Sequence, residues 1–99
     1  MMDNVAIHHS PDRQRYEITV DDEPVGLSRY RDDGGTRVFT HTEVDSAYQG
    51  HGLATQLIRG ALDDTRSSGL RIVAVCPMVA AFVGKHHDYD DILDQSEAT

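Results

Sequence analysis

The stretch Tyr48 to Thr55, Tyr-Gln-Gly-His-Gly-Leu-Ala-Thr, sets two glycines in a turn that opens directly onto apolar residues at helical spacing. Glycine brings backbone N–H groups close to a ligand without interference from a Cβ atom. A helix start, in turn, leaves its first donors unpaired and partly positive. The stretch therefore predicts an anion site where a loop becomes a helix. Leu53, Ala54, Leu57, Ile58, Ala61 and Leu62 form the apolar stripe of that helix, and Gln56, Arg59, Asp63 and Arg66 lie opposite. Gly69 is a natural residue for the turn that ends it near Ser68.

The residues ahead of this turn read as strands. Val5 to His9 is a short run, and Arg15 to Val20 alternates with Tyr16, Ile18 and Val20 on one face. Asp21-Asp22-Glu23-Pro24 and Asp32-Asp33-Gly34-Gly35 are turn clusters around a third strand, Val25 to Arg31. Thr36 to Val44 completes a four-stranded antiparallel meander. A period of two in this fourth strand puts Val38, Thr40, Thr42 and Val44 on one face and Phe39, His41 and Glu43 on the other. After the helix, Leu70 to Cys76 is apolar and β-branched, as expected of an interior strand, and the strand-helix-strand series implies a parallel crossover. Pro77 starts a short second helix that ends near Gly84. The expectation is one domain over residues 1–94, with Gln95 to Thr99 a frayed tail.

Seventeen acidic against nine basic residues give a net charge of −8, which opposes nucleic acid and anionic membrane surfaces and favours cationic partners such as amines. The single cysteine, Cys76, forms no internal disulfide and fits a reducing compartment. With no signal-peptide pattern and no apolar run of membrane-spanning length, the expected location is the cytoplasm. His51, His86 and His87 lack metal spacing with carboxylates or cysteine, so no metal site is expected.

Two phosphate-binding patterns fail at the glycine turn. A P-loop needs Lys and Ser or Thr after its last glycine, where Leu53-Ala54 stands. A dinucleotide fingerprint needs a third glycine or alanine where Thr55 stands. Gln49-Gly50-His51-Gly52-Leu53-Ala54 instead resembles the Gln/Arg-x-x-Gly-x-Gly/Ala signature of the GNAT acyl-CoA N-acyltransferases, in the strand-to-helix position that family requires. His41-Thr42-Glu43-Val44 before it and Cys76-Pro77-Met78-Val79-Ala80-Ala81-Phe82 after it resemble the small stand-alone YjdJ-type branch, and the likeness runs from the first hairpin to Tyr89.

The resemblance implies a truncated GNAT-like α/β (α+β) fold and acetyl-CoA as cosubstrate. Gln49, Gly50, His51, Gly52, Leu53, Ala54 and Thr55 would cradle its pyrophosphate, and Thr42 to Val44 would pair with the pantetheine amides. The fourth and fifth strands would part at their ends around the thioester, with His41 and Glu43 on one side and Cys76 on the other.

Two chemical routes follow from these residue types. Glu43 or His41 acts as general base for direct attack by an amine, or Cys76 is activated by His41 and carries the acetyl group. Cys76 also fits a buried small hydrophobe, and His41 and Glu43 fit plain strand-face residues. Against the wider family the chain lacks the first helices and the final hairpin, and Phe82 or Val83 stands where many relatives carry an acid tyrosine; Tyr89 is the substitute on offer. The expected function is an acetyl-CoA-dependent N-acetyltransferase with an unidentified amine acceptor, the alternative a non-catalytic acyl-CoA-binding module. Neither acceptor nor oligomeric state is legible in these residues.

Overall fold

The computed structural model describes residues 4–94; Gln95–Thr99, expected as a frayed tail, lie outside the described residues. The alternating segments form β1 (Val5–Ser10), β2 (Arg15–Val20), β3 (Glu23–Asp33) and β4 (Thr36–Val44), an antiparallel meander. α1 (Leu53–Ser67) then crosses to β5 (Arg71–Ala74), which pairs in parallel with β4, and α2 (Pro77–Lys85) leads into a 3-10 segment, His87–Ile92. The strand order is β1-β2-β3-β4-β5. This is the mixed α/β arrangement that the periodicities predict.

Both helices pack on one face of the sheet. Leu53, Leu57, Ile58, Ala61 and Leu62 of α1 and Val79, Phe82 and Val83 of α2 meet Tyr16, Ile18, Phe39 and Ile72 in one cluster. Each fully buried side chain of this size contributes about 1.5–3 kcal/mol relative to an exposed one, which holds a short α2 that could not persist alone. α1 ends as Gly69 predicts: φ is +75° there, and the Leu70 N–H returns to the Thr65 carbonyl. The other face carries Arg15, Glu17, Leu27, Arg29, His41 and Glu43, all half-buried or exposed, and no helix covers it among the described residues.

Three sequence expectations need correction. The first turn is shorter than Asp21–Pro24, because Glu23 and Pro24 already pair with Val20 and Thr19. Only Asp21 and Asp22 make the turn, with φ of 50° and 70°, and the register then skips Val25, so Pro24 sits beside an irregularity that tolerates its missing N–H. β5 is an edge strand of four residues rather than an interior strand reaching Cys76; Ile72 also bridges to Leu93, and the Asp94 N–H donates to the Ile72 carbonyl. Its apolar character comes from the helices on one side and that C-terminal segment at its edge.

The third correction concerns the faces of β4. Arg29 pairs with His41 and Tyr30 with Phe39, so Thr40 is an extra residue in a bulge. The bulge reverses the alternation. Phe39 therefore lies on the helix side together with Thr42 and Val44, while His41 and Glu43 point to the open face.

A buried polar knot fixes the other end of β4. Arg37, 7% exposed, donates to both carboxylate oxygens of Asp32 at 2.7 and 2.9 Å and to the Tyr16 hydroxyl, which donates to Asp64 on α1. His9 stacks on Tyr16 at 4.3 Å and meets the Tyr30 hydroxyl at 2.6 Å. The Arg37 hydrogen bond holds the Asp32 carboxyl below the usual carboxylate range. Its folded value thus lies under its unfolded one, near 3.8. The stabilisation is complete above that unfolded value and is lost as pH falls through the folded one. Arg37→Met should flatten this acid limb in urea titrations, whereas an unchanged pH profile would dissociate the ion pair from stability.

Close packing also fixes Gly26. A Cβ there would lie 2.9 Å from the Glu43 carbonyl oxygen, 3.0 Å from Ile18 Cγ2 and 3.1 Å from Val44 Cγ2. Gly26→Ala should cost about 1–3 kcal/mol in equilibrium unfolding; a neutral result would show that the β3–β4 pair gives way at no cost.

Candidate active site

β4 and β5 stay paired only through Phe39 and Ala74. Beyond that point the N–H groups of Val75 and Cys76 both donate to the Phe39 carbonyl, at 3.0 and 2.8 Å, and β5 turns away into α2. From Thr40 to Val44, β4 continues beside β3 but without β5. The Asp45 N–H donates to the Val25 carbonyl. Because antiparallel pairs alternate in kind, the N–H and C=O groups of Thr42 and Val44 then point away from β3, into the gap that β5 has left. Gln49 spans one of them, its side-chain amide donating to the Val44 carbonyl at 3.2 Å. A free strand edge thus borders an opening.

The glycine turn closes one end of that opening. Gly50 and Gly52 both adopt left-handed backbone, with φ of 83° and 74°, and Gly52 is the N-cap of α1. No side chain caps the helix and no acidic residue occupies its first turn. The N–H groups of Leu53, Ala54 and Thr55 therefore present donors and the positive end of the helix dipole to whatever occupies the turn. Val44, Gln49, Gly50, Gly52, Leu53 and Met78 line a hollow of about 300 Å³ there. Ala54, Thr55 and Met78 connect it to a second hollow of about 310 Å³ between α1 and α2, which Ile58, Ala81, Phe82, Lys85 and His86 complete. His51 is exposed beside the turn.

The expected catalytic residues do not all meet. His41 Nε2 and Glu43 Oε1 are 3.0 Å apart on the open face, both more than half exposed. Cys76 is 2% exposed and its thiol reaches Thr42 Oγ1 at 3.5 Å, on the helix side. Thr42 Oγ1 is itself 2.9 Å from Ser28 Oγ. The strand backbone thus separates Cys76 from His41, contrary to the expectation that both face one opening; the bulge at Thr40 is the reason, since it puts Thr42 rather than His41 on the side where Cys76 arrives. Tyr89 is also elsewhere. It is buried under α2, donates to Asp63 Oδ1 and accepts from Arg59, and burial with the Asp63 hydrogen bond pushes its hydroxyl up to about 12.

Among the described residues no group of three or more His, Cys, Asp or Glu could hold a metal ion. Sequence reasoning missed the second hollow, to which Met78, Lys85 and His86 contribute. The basic run Lys85-His86-His87 was a signal, but only the packing of α2 beside α1 shows that Lys85 and His86 share a hollow with Ala54 and Thr55 at the start of α1.

The family profile described as GCN5-related N-acetyl-transferase matches residues 15–92. Among curated proteins none matches the sequence. A solution structure from Staphylococcus aureus, described as GCN5-like, superposes with a TM-score of 0.72 at 23% identity over 97% of this chain and 94% of that one. A ribosomal-protein-alanine N-acetyltransferase from Brucella melitensis biovar Abortus 2308 superposes with a TM-score of 0.54 at 24% identity, over 87% of this chain and 65% of that one. At these identities the likeness is one of fold.

The left-handed backbone at Gly52 makes a direct test. A β-branched side chain there is strained by about 1–2 kcal/mol and would stand in the way of a ligand approaching the turn, while nothing lies within 4 Å of an added Cβ to disrupt the core. Gly52→Val should keep the circular dichroism of the fold and lose binding of coenzyme A in calorimetry. Retained affinity would displace the anion site from this turn.

Proposed function

The chain belongs to the GCN5-related N-acetyltransferase family, and on that premise we propose that it transfers an acetyl group from acetyl-CoA to an amine by direct attack in a ternary complex. One observation carries the reading: an uncapped helix start behind two left-handed glycines abuts the point where β4 and β5 part. The diphosphate of acetyl-CoA takes the N–H groups of Leu53, Ala54 and Thr55, with Gly50 and Gly52 permitting its approach. The pantetheine amides pair with the strand edge at Thr42 and Val44, and the adenosine end has the hollow between α1 and α2, where Lys85 and His86 supply donors.

Placed so, the thioester lies in the gap beside β4, and the amine comes from the open face past His41 and Glu43. The amine nitrogen forms the C–N bond as the C–S bond breaks. Starting from an ammonium, two protons must leave nitrogen: one goes by way of Glu43 and His41 to solvent, and the other ends on the departing thiol of CoA. The hydrogen-bonded pair suits this task because either member can take the proton and pass it to water. Cys76 has a different role in this reading. Its thiol, held by Thr42 under the strand, packs the helix-side floor of the gap.

Glu43→Gln combined with His41→Ala should lower kcat by about 10²-fold or more, the usual contribution of a positioned base, with little change in the KM for acetyl-CoA. Cys76→Ala should retain turnover, and intact mass spectrometry after incubation with acetyl-CoA should show no hydroxylamine-labile acetyl group. Loss of turnover in Cys76→Ala together with such an adduct would replace direct transfer by the covalent route. Coenzyme A binding without acceptor-dependent release would leave only an acyl-CoA-binding module.

A further inference from the structure

The open face of the sheet holds a third hollow, of about 280 Å³, whose lining includes Glu43 but none of the residues assigned above to acetyl-CoA. From the register its construction can be followed residue by residue. Glu17, Leu27 and Glu43 stand side by side across β2, β3 and β4, and Arg15, Arg29 and His41 form the next row. Leu27 and Pro24 give an apolar floor; Arg13 and Arg15 come in from the β2 side and Glu43 and Asp45 from the end of β4.

The charges of the hollow are incompletely matched. Arg15 spends one terminal nitrogen on Glu17 at 2.7 Å, but its Nε is buried without a hydrogen-bond partner. Arg13 and Asp45 make no side-chain ion pair among the described residues. A buried donor left unmet is destabilising until a ligand or water meets it. A purely cationic ligand would leave the guanidinium side unmatched, and a purely anionic one the carboxylate side. A molecule bearing both charges answers both.

We infer that this hollow is the acceptor site and that the acceptor is a small aminocarboxylate, with its amine at Glu43 and Asp45 and its carboxylate at Arg13 and Arg15. The inference rests on the acetyltransferase reading for its orientation: acetyl is delivered at the β4 edge, so the amine must be the end that lies there. Adjacent strands are about 4.8 Å apart, so β2 and β4 are separated by roughly 10 Å, a distance that two long arginine side chains shorten to a few bonds. The net reaction joins acetyl to the amine nitrogen and releases CoA as the thiol with one proton to solvent; the carboxylate is unchanged.

The full chain tests this with acetyl-CoA and two matched pairs of acceptors, β-alanine against n-propylamine and γ-aminobutyrate against n-butylamine, with CoA release followed by chromatography. The aminocarboxylates should show kcat/KM at least about tenfold higher than their partners. Arg13→Ala should raise the KM for the aminocarboxylates about tenfold while leaving the calorimetric affinity for coenzyme A intact. Equal turnover of the paired amines, or an Arg13→Ala enzyme with unchanged KM, overturns the assignment. NMR titration separates this inference from its premise. Shifts confined to Leu27 methyls and the amides of Arg15, Glu17 and Glu43 on adding β-alanine support the hollow even if no acetyl is transferred. Absence of those shifts in a chain that binds coenzyme A refutes the hollow and leaves the acetyltransferase reading standing.

Discussion

The carbonyl of Phe39 decides the architecture of the site. It accepts from both Val75 and Cys76, so β5 finishes its pairing with β4 on one atom and then leaves. Had β5 kept its register, the edges of Thr42 and Val44 would have been consumed by strand pairing, and no opening would exist beside the glycine turn. The bulge at Thr40 acts at the same place from the other side. By adding one residue it turns Phe39 into the core and sends His41 and Glu43 to the open face. Splay and bulge together create two separate approaches to one strand edge, one from the helix start and one from the bare sheet face.

Such an edge is a liability unless its ends are held. The knot of Arg37, Asp32, Tyr16, Asp64 and His9 joins all four antiparallel strands to α1 near the beginning of β4. Its stacked and hydrogen-bonded groups leave little freedom for the strand to slide, and a one-residue slip would carry Phe39 out of the core. At the far end Gly26 lets β3 lie close against β4, and Gln49 fastens the loop to Val44. β4 is therefore held on both sides of the bulge while the stretch between Thr40 and Val44 keeps its free edge. The apolar stripe of α1 then presses its uncapped end toward that edge, which couples core packing directly to the donors at Leu53, Ala54 and Thr55.

Much of this was legible in the residues. The glycines at 50 and 52 marked the turn before α1 and Gly69 its end, all three of which take left-handed backbone, and the period of α1 gave its buried face. The meander and the crossover followed from alternation and order. What alternation could not show is a residue inserted into it: Thr40 reads like any β-branched strand residue, and nothing local marks it as the bulge. That single insertion accounts for the misplaced face of Phe39 and for the separation of His41 from Cys76. The edge position of β5 was hidden for a related reason, since Ile72 packs in the cluster with α1 and α2 and bridges to Leu93, partners brought from distant points of the chain. The rows Glu17-Leu27-Glu43 and Arg15-Arg29-His41 depend on register between three strands, which no single stretch encodes.

The separation of faces has a chemical consequence. A nucleophile that carried acetyl on the helix side would have to return it through the strand to an acceptor on the open side, or the acceptor would have to enter along the edge proposed for the pantetheine. The proposed direct transfer would avoid both, because a thioester in the gap would be open to an amine arriving on the side of His41 and Glu43. Among the described residues no helix lies over that face, and the half-buried Arg15 and Glu17 with the exposed Arg13, Glu43 and Asp45 are the charged groups around Leu27 that would orient an amine there. On the proposed reading, selectivity for the acceptor would lie in the register of β2, β3 and β4, and binding of the acyl donor in the turn at Gly50 and Gly52. The two can change independently, since no side chain that lines the hollow between β2 and β4 also lines those beside α1.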